Sequence, residues 1–369
     1  MEKVLILVID GCAPAYLTPE TAPEIFRLTA AEGFFKTVQG AMPSVTNVNH
    51  ACILSGQQPN VTKITGNYYY DPQTGEEGFI EERGRMKAET ILQHYRSNGG
   101  TTALLTVKGK ILGVYGDGAD IGISVQTPDA ELLRHYGLPQ PPAVASAAAT
   151  PWILDAAGAC IETDDPDFVY CTTNDYIFHH YAPGTAEARA QIKAIDERIA
   201  RIAAEDPARQ IYLTADHGMN QKTRIVDFRR VAREAGFEIY CLLPLKDRYI
   251  ENHLYQESGM AYLFVKHREQ LAALRTFAEA QPYVESVMTP AEAARAFHLP
   301  ADQIGDLVLL ATGDSAFGEC GEPIVATQES RSHGSLHERE VPLAAVRPQQ
   351  PAEAYRFSGD IVKYLLQQK

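Results

Sequence analysis

The chain is poor in the features that mark secreted, membrane-bound or nucleic-acid-binding proteins. Its six cysteines (Cys12, Cys52, Cys160, Cys171, Cys241 and Cys320) include no C-x-x-C pair, and most lie in apolar stretches. That pattern predicts reduced, buried thiols and excludes a disulfide framework. A long apolar run is missing from the start: Met1-Glu2-Lys3 is followed by only six apolar residues, Val4 to Ile9, which end in an aspartate. Such a run is a strand rather than a signal peptide or membrane span, so a cytoplasmic protein without membrane attachment is expected. Basic residues are in deficit, with 33 Lys and Arg against 47 Asp and Glu and a formal net charge of −14. A surface this acidic repels phosphate backbones and excludes nucleic acid as partner. A small anion could still be drawn in where metal ions and a few lysines make a local positive field. There is no internal repeat and no heptad pattern, and the six methionines are scattered.

What is present is an alternation of apolar runs and helical patterns. Val4–Ile9 reads as a strand buried on both faces, and similar runs recur at Thr101–Val107, Asp167–Cys171, Gln210–Ala215 and Val341–Val346. Helical patterns at Thr21–Glu32, Ala88–Ser97 and Thr185–Ala204 separate them. This order predicts an α/β fold, a mostly parallel central sheet with helices on both faces. Pro139–Thr150, rich in Pro and Ala, reads as a surface connection. The stretch 224–328 has a different texture. It mixes short strands (Phe237–Leu243, Ala261–Val265, Asp306–Ala311) with helices (His267–Ala280, Pro290–Phe297). It is expected to be an inserted α+β cap, leaving 1–223 and 329–369 as the core domain.

Aspartates and histidines recur at separated places on this framework: Asp10 in VLILVIDG, Asp175 and His179 in TTNDYIFHHY, Asp216 and His217 in YLTADHGMN, and His333 in RSHGSLHE. In an open α/β sheet, ligands bind beyond the carboxyl ends of the strands, which is where Asp10 and Asp216 fall. The four-residue spacing of Asp175 and His179 puts both on one face of a helical turn. Asp216 and His217 require the chain to turn inward at a strand end, a turn that Gly218 is expected to allow. Singly, each pair is an ordinary surface feature, and Asp10 could be neutralised by a salt bridge. Together they supply the roughly six donors that two metal ions need. Thr46 in AMPSVTNVNH is a candidate nucleophile, and its bland alternative is a helix N-cap.

These blocks, with ITGNYYYDP after Thr46 and TVKGK at 106–110, resemble the phosphonoacetate hydrolase family of the alkaline phosphatase superfamily. Nucleotide pyrophosphatase/phosphodiesterases are its near relatives. The resemblance implies an alkaline phosphatase-like fold and two zinc ions per subunit, although Asp, His and Thr donors also suit manganese or iron. It implies that Asp10, Thr46, Asp216 and His217 hold one ion, with Thr46 also the nucleophile, and that Asp175, His179 and His333 hold the other. It assigns Asn67 to a phosphoryl oxygen, and Lys108 and Lys110 to the carboxylate of a small anionic phosphonate. As neighbours at i and i+2 of a strand, the two lysines are expected to point the same way. His337 and His180 are rivals to His333 and His179. A homodimer is the family expectation. Two departures stand out: the family's T-N-P-N-N is Thr46-Asn47-Val48-Asn49-His50 here, and ILGVYGDG after Lys110 matches poorly.

The leading expectation is hydrolysis of phosphonoacetate to acetate and phosphate. The alternative is a phosphodiesterase or nucleotide pyrophosphatase on the same metals. A binding protein without catalysis has no need of Thr46.

Overall fold

The computed structural model describes residues 2–249 and 252–367. Seven strands form the central sheet: β1 (Val4–Val8), β2 (Gly33–Gln39), β3 (Thr102–Thr106), β4 (Ile121–Ser124), β5 (Phe168–Thr172), β6 (Gln210–Thr214) and β7 (Glu340–Val346), in the order β2-β7-β6-β1-β5-β3-β4. Strands β1, β3, β5 and β6 are buried at every residue, as near-continuous apolar strands with helices on both faces must be. Only β7 runs against its neighbours, antiparallel to both β6 and β2.

Register matters most for function. Val8 lies level with Thr172 of β5 and Thr214 of β6, and Thr172 lies level with Thr106 of β3. The chain segments holding Asp10, Lys108, Asp175 and Asp216 therefore leave the sheet side by side, at one carboxyl edge.

The flanking helices fall into two groups. Helices α1 (Pro23–Glu32) and α4 (Ala149–Asp164) both pack against α6 (Ala186–Glu205), whereas α2 (Thr46–Ser55) packs with α3 (Gly109–Tyr115) and the C-terminal helix Asp360–Leu365. The sequence placed α1 and α6 to within two residues, and Thr185 caps α6 by accepting from the Ala188 N–H. The first helix turn expected at Ala88 begins instead at Ile91, because Thr90 and Gln93 close a capping box there. The connection expected over 139–150 ends in the 16-residue α4.

Residues 224–328 contain a four-stranded antiparallel sheet of Ile239–Leu242, Met260–Val265, Leu307–Ala311 and Val284–Met288. Its inner face makes a buried cluster drawn entirely from 226–317, apart from the main core. All six cysteine thiols are free. Among the described residues no helix is long and apolar enough to cross a membrane.

Candidate active site

The three aspartates are placed by backbone contacts at the strand ends. The Asp10 N–H donates to Thr173 Oγ1 (3.1 Å). Gly11 follows with φ +76°, and a Cβ there would stand 3.1 Å from Asp175 Cβ, so the chain turns across the sheet edge only with glycine at this point. The N–H groups of Gly11 (3.1 Å) and His217 (3.0 Å) both donate to Asp216 Oδ1 and leave Oδ2 aimed into the site. Gly218 has no positive φ; its N–H is fixed by the Glu338 carbonyl (2.7 Å), and a Cβ there would stand 3.3 Å from Ala13 Cβ, so it serves a close approach of the backbone. Gly11 takes the conformational role instead.

Helix α2 delivers Thr46. Val45, not Thr46, is its N-cap, and no side chain caps that end, so the bland alternative for Thr46 does not hold. Thr46 is the first helical residue, buried, with Oγ1 3.4 Å from His217 Nε2. Asp175 stands at the N-cap position of the one-turn helix α5 (Tyr176–His180), and that turn brings His179 Nε2 to 3.1 Å from Asp175 Oδ2, as the spacing predicts. His333 arrives by a different route: Arg331–Ser332 pairs antiparallel with Asn220–Gln221, so the SHG and DHG loops lie together. The His217 and His333 rings stack with centroids 3.5 Å apart.

The histidine tautomers are fixed from behind. Nδ1 of His179 donates to Arg331 O (2.8 Å), Nδ1 of His217 to Gly218 O (2.9 Å) and Nδ1 of His333 to Ser44 O (2.7 Å). Each ring then presents its Nε2 lone pair to the site, the arrangement that metal-binding imidazoles use. His217 Nε2 is 3.4 Å from Thr46 Oγ1, from Asp10 Oδ1 and from Asp216 Oδ2. Donors on a tetrahedral ion at about 2.0–2.1 Å are separated by roughly this distance. Asp10 Oδ1, Asp216 Oδ2 and His333 Nε2 have no hydrogen-bond partner among the described residues. Buried acceptors left bare around one space fit a cation, and the chemistry of these donors fits zinc.

Electrostatics agree. Burial pushes Asp10 up to about 7, aided by the charges of Asp175 and Asp216 and opposed by Lys108 and His217. Burial raises Asp216 to about 6 against the pull of Lys108. Asp175 goes the other way: burial would raise it, but Lys108 and His179 outweigh that and hold it well below the usual carboxylate range. Burial lowers His217, and lowers His333 well below the ordinary imidazole value, so both keep a free lone pair at neutral pH.

The lysines are not on a strand. Strand β3 ends at Thr106, Lys108 stands at the N-cap position of α3 and Lys110 lies in its first turn. Both ammonium groups are buried yet still converge, 5.7 and 5.6 Å from the Tyr249 ring centre. Lys108 Nζ sits between Asp10 Oδ2 (2.8 Å) and Asp175 Oδ1 (2.9 Å), while Lys110 pairs with the buried Asp247. Asn67 Oδ1 accepts the Asn47 N–H at the start of α2 (2.9 Å), and its amide donates to Asp247 (3.1 Å). Of the rivals, His337 is half-exposed on Glu285 and His180 is bonded to Tyr176 O; neither enters the site.

Sequence reasoning missed three contributors. Asp247 and Tyr249 lie in a polar stretch without periodicity and were invisible. His50, four residues after Thr46, was visible only as a departure from the family motif. It accepts or donates at 2.6 Å to Tyr170 Oη and stands 3.8 Å from Asp216 Oδ2.

Comparison with known proteins defines the class. A model of the type I phosphodiesterase/nucleotide pyrophosphatase family matches residues 4–336, and the chain belongs to that family. Phosphonoacetate hydrolase from Sinorhizobium meliloti 1021, solved with phosphonoformate and with phosphonoacetate, is similar over 98% of this chain and 94% of its own, with TM-score 0.87 and 28% identity. Murine ectonucleotide pyrophosphatase/phosphodiesterase 5 (TM-score 0.69, 16% identity, 99% of this chain and 94% of that one) shares the fold. So does the alkaline phosphatase PafA (0.70, 14%, 98% and 95%). The fold is that of the alkaline phosphatase superfamily, and the chain is a phosphoryl hydrolase.

Proposed function

We propose that this hydrolase cleaves the P–C bond of phosphonoacetate, giving acetate and phosphate, with Thr46 as nucleophile and two zinc ions as cofactors. Asp10, Thr46, Asp216 and His217 would hold one ion, and Asp175, His179 and His333 the other. Bound there, zinc supplies Lewis acidity, lowering the pKa of a hydroxyl and neutralising phosphoryl oxygens. The observation that carries the substrate choice is the pair of buried ammonium groups, Lys108 and Lys110, converging beside this cradle.

Thr46 Oγ1 attacks phosphorus in line. A P–O bond forms as the P–C bond breaks, and the electron pair passes to the methylene carbon and spreads into the carboxylate as an enolate. Cations at that carboxylate gain more in the transition state than in the ground state, which is the role of the two lysines. The carbon takes a solvent proton to become acetate, and water then cleaves the phosphothreonine. The Asn47 N–H, at the start of α2, is a donor for a phosphoryl oxygen in place of Asn67 Oδ1, and the Asn67 amide is a second. Residues 224–328 form an inserted cap that brings Asp247 and Tyr249 to the lysines. The six free thiols fit a reducing, cytoplasmic setting.

The family match favours a second reading, phosphodiesterase activity on nucleotide-like esters. Comparing phosphate release from phosphonoacetate with turnover of p-nitrophenyl-TMP separates the two. Phosphonoacetate should be the better substrate by kcat/KM, and Thr46→Ala should lose its turnover while retaining both ions. Dominant diesterase activity, or an active Thr46→Ala, contradicts the proposal.

A further inference from the structure

A fourth imidazole stands beside Asp175, His179 and His333, and the reaction above does not use it. His253 comes from the 224–328 segment, is only 3% exposed, and its enclosed Nδ1 has no hydrogen-bond partner among the described residues. Its ring centre lies 4.6 Å from that of His179, edge-on, and 5.7 Å from that of His333. One donor atom from each of Asp175, His179, His253 and His333 falls within 4.8 Å of all the others. A buried polar nitrogen left bare is unfavourable, and the group it is missing is to be looked for among its nearest neighbours. Here those neighbours are two imidazoles with lone pairs to give and a carboxylate.

The backbone around His253 is tied to the same place. Asn252 Nδ2 donates to Asp175 Oδ1 (3.1 Å). A few residues on, Ser258 bridges to His333, and the Gly259 N–H donates to the His333 carbonyl (2.8 Å). The segment that presents His253 is thus fastened to two residues of the cluster it faces.

We infer that His253 is a fourth protein ligand of the ion held by Asp175, His179 and His333. The inference rests on the two-ion reading above. It means that the 224–328 segment completes one metal site and takes no part in the other. Three imidazoles and one carboxylate satisfy the usual tetrahedral zinc shell, and a substrate oxygen joins by expansion to five donors. This ion should therefore be the more tightly held of the two, since the other relies on the Thr46 hydroxyl as a donor.

The test is a zinc titration of the metal-free protein against a chromophoric chelator, with the visible spectrum of the cobalt(II) form as a second readout. The wild-type chain should take up two ions. His253→Ala should weaken one of them by at least about tenfold, the minimum seen even for losing an outer-shell partner, and alter the cobalt bands. Asp216→Asn should weaken the other ion, which tells the two apart. His253→Phe keeps the bulk of the ring without a donor and should repeat the loss if the alanine variant folds poorly by circular dichroism. Two ions held with wild-type affinity and an unchanged cobalt spectrum in a folded His253 variant would overturn the inference and leave the two-ion site standing. Fewer than two ions in the wild type would overturn that site itself, and this inference with it.

Discussion

At the scale of the residue, the site is a set of groups each pinned at one atom and bare at another. Asp216 is fixed through Oδ1, and His179, His217 and His333 through Nδ1, so these side chains are aimed into the site without any ion. The cost shows in the protonation of the metal-free protein. Asp10 at about 7 and Asp216 at about 6 lie above the ordinary 3.8 of an unfolded aspartate. Between those values the folded chain binds more protons than the unfolded one, so stability present at the low end is lost as pH rises towards about 7. Asp175, shifted downward, acts in the opposite sense and only below 3.8. Zinc requires the deprotonated carboxylates. The zinc-induced rise in Tm should therefore grow from about pH 5 to about pH 8. A rise of equal size at both ends, measured by calorimetry, contradicts the account of Asp10 and Asp216. The carboxylates and most histidines of this site were legible because their motifs end apolar strands. Lys108 and Lys110 were singled out by the family resemblance, and the strand expected to carry them is absent: the chain after β3 turns into a helix start, which their i, i+2 spacing does not reveal. His253 was not found, since a lone histidine in a polar stretch carries no periodic signal.

At the scale of the element, the strands that were read correctly are the ones buried on both faces. Strand β2 was missed because it is an edge strand with most of its residues partly or fully exposed, and so shows no apolar run. Helix α4 was missed because Pro151 opens it and its sequence is apolar nearly all round, so no polar face marks its period. His217 and His333 lie on two loops that the short antiparallel pair Asn220–Gln221 and Arg331–Ser332 holds together. Behind them lies the fully buried pair Lys222–Glu338 (2.8 Å). Glu338 also accepts from Asn220 (2.9 Å) and from the Ser335 N–H (2.9 Å), which clamps the DHG and SHG loops. Removing one partner of such a pair leaves a buried charge bare. Lys222→Met should therefore cost about 3–5 kcal/mol in urea unfolding. A loss below about 1 kcal/mol, the range of exposed pairs, would show that the clamp is not under load.

At the scale of the whole molecule, the substrate proposed for this acidic protein is itself a small trianion. The charge of −14 repels it everywhere except where cations gather, and among the described residues the buried ammonium groups beside the aspartate cluster are Lys108 and Lys110. Two divalent ions would turn this corner from a carboxylate cluster into the positive focus of the surface. The topology makes that possible: β6, β1 and β5 are adjacent and in register, so three aspartates far apart in sequence share one edge of the sheet. The central claim is that this edge holds two ions with the Thr46 hydroxyl on one of them. Anomalous diffraction from a crystal of the zinc-loaded protein tests it most directly. The account predicts two peaks, one among Asp10, Thr46, Asp216 and His217 and one among Asp175, His179 and His333. A single peak, or peaks away from these side chains, would contradict it.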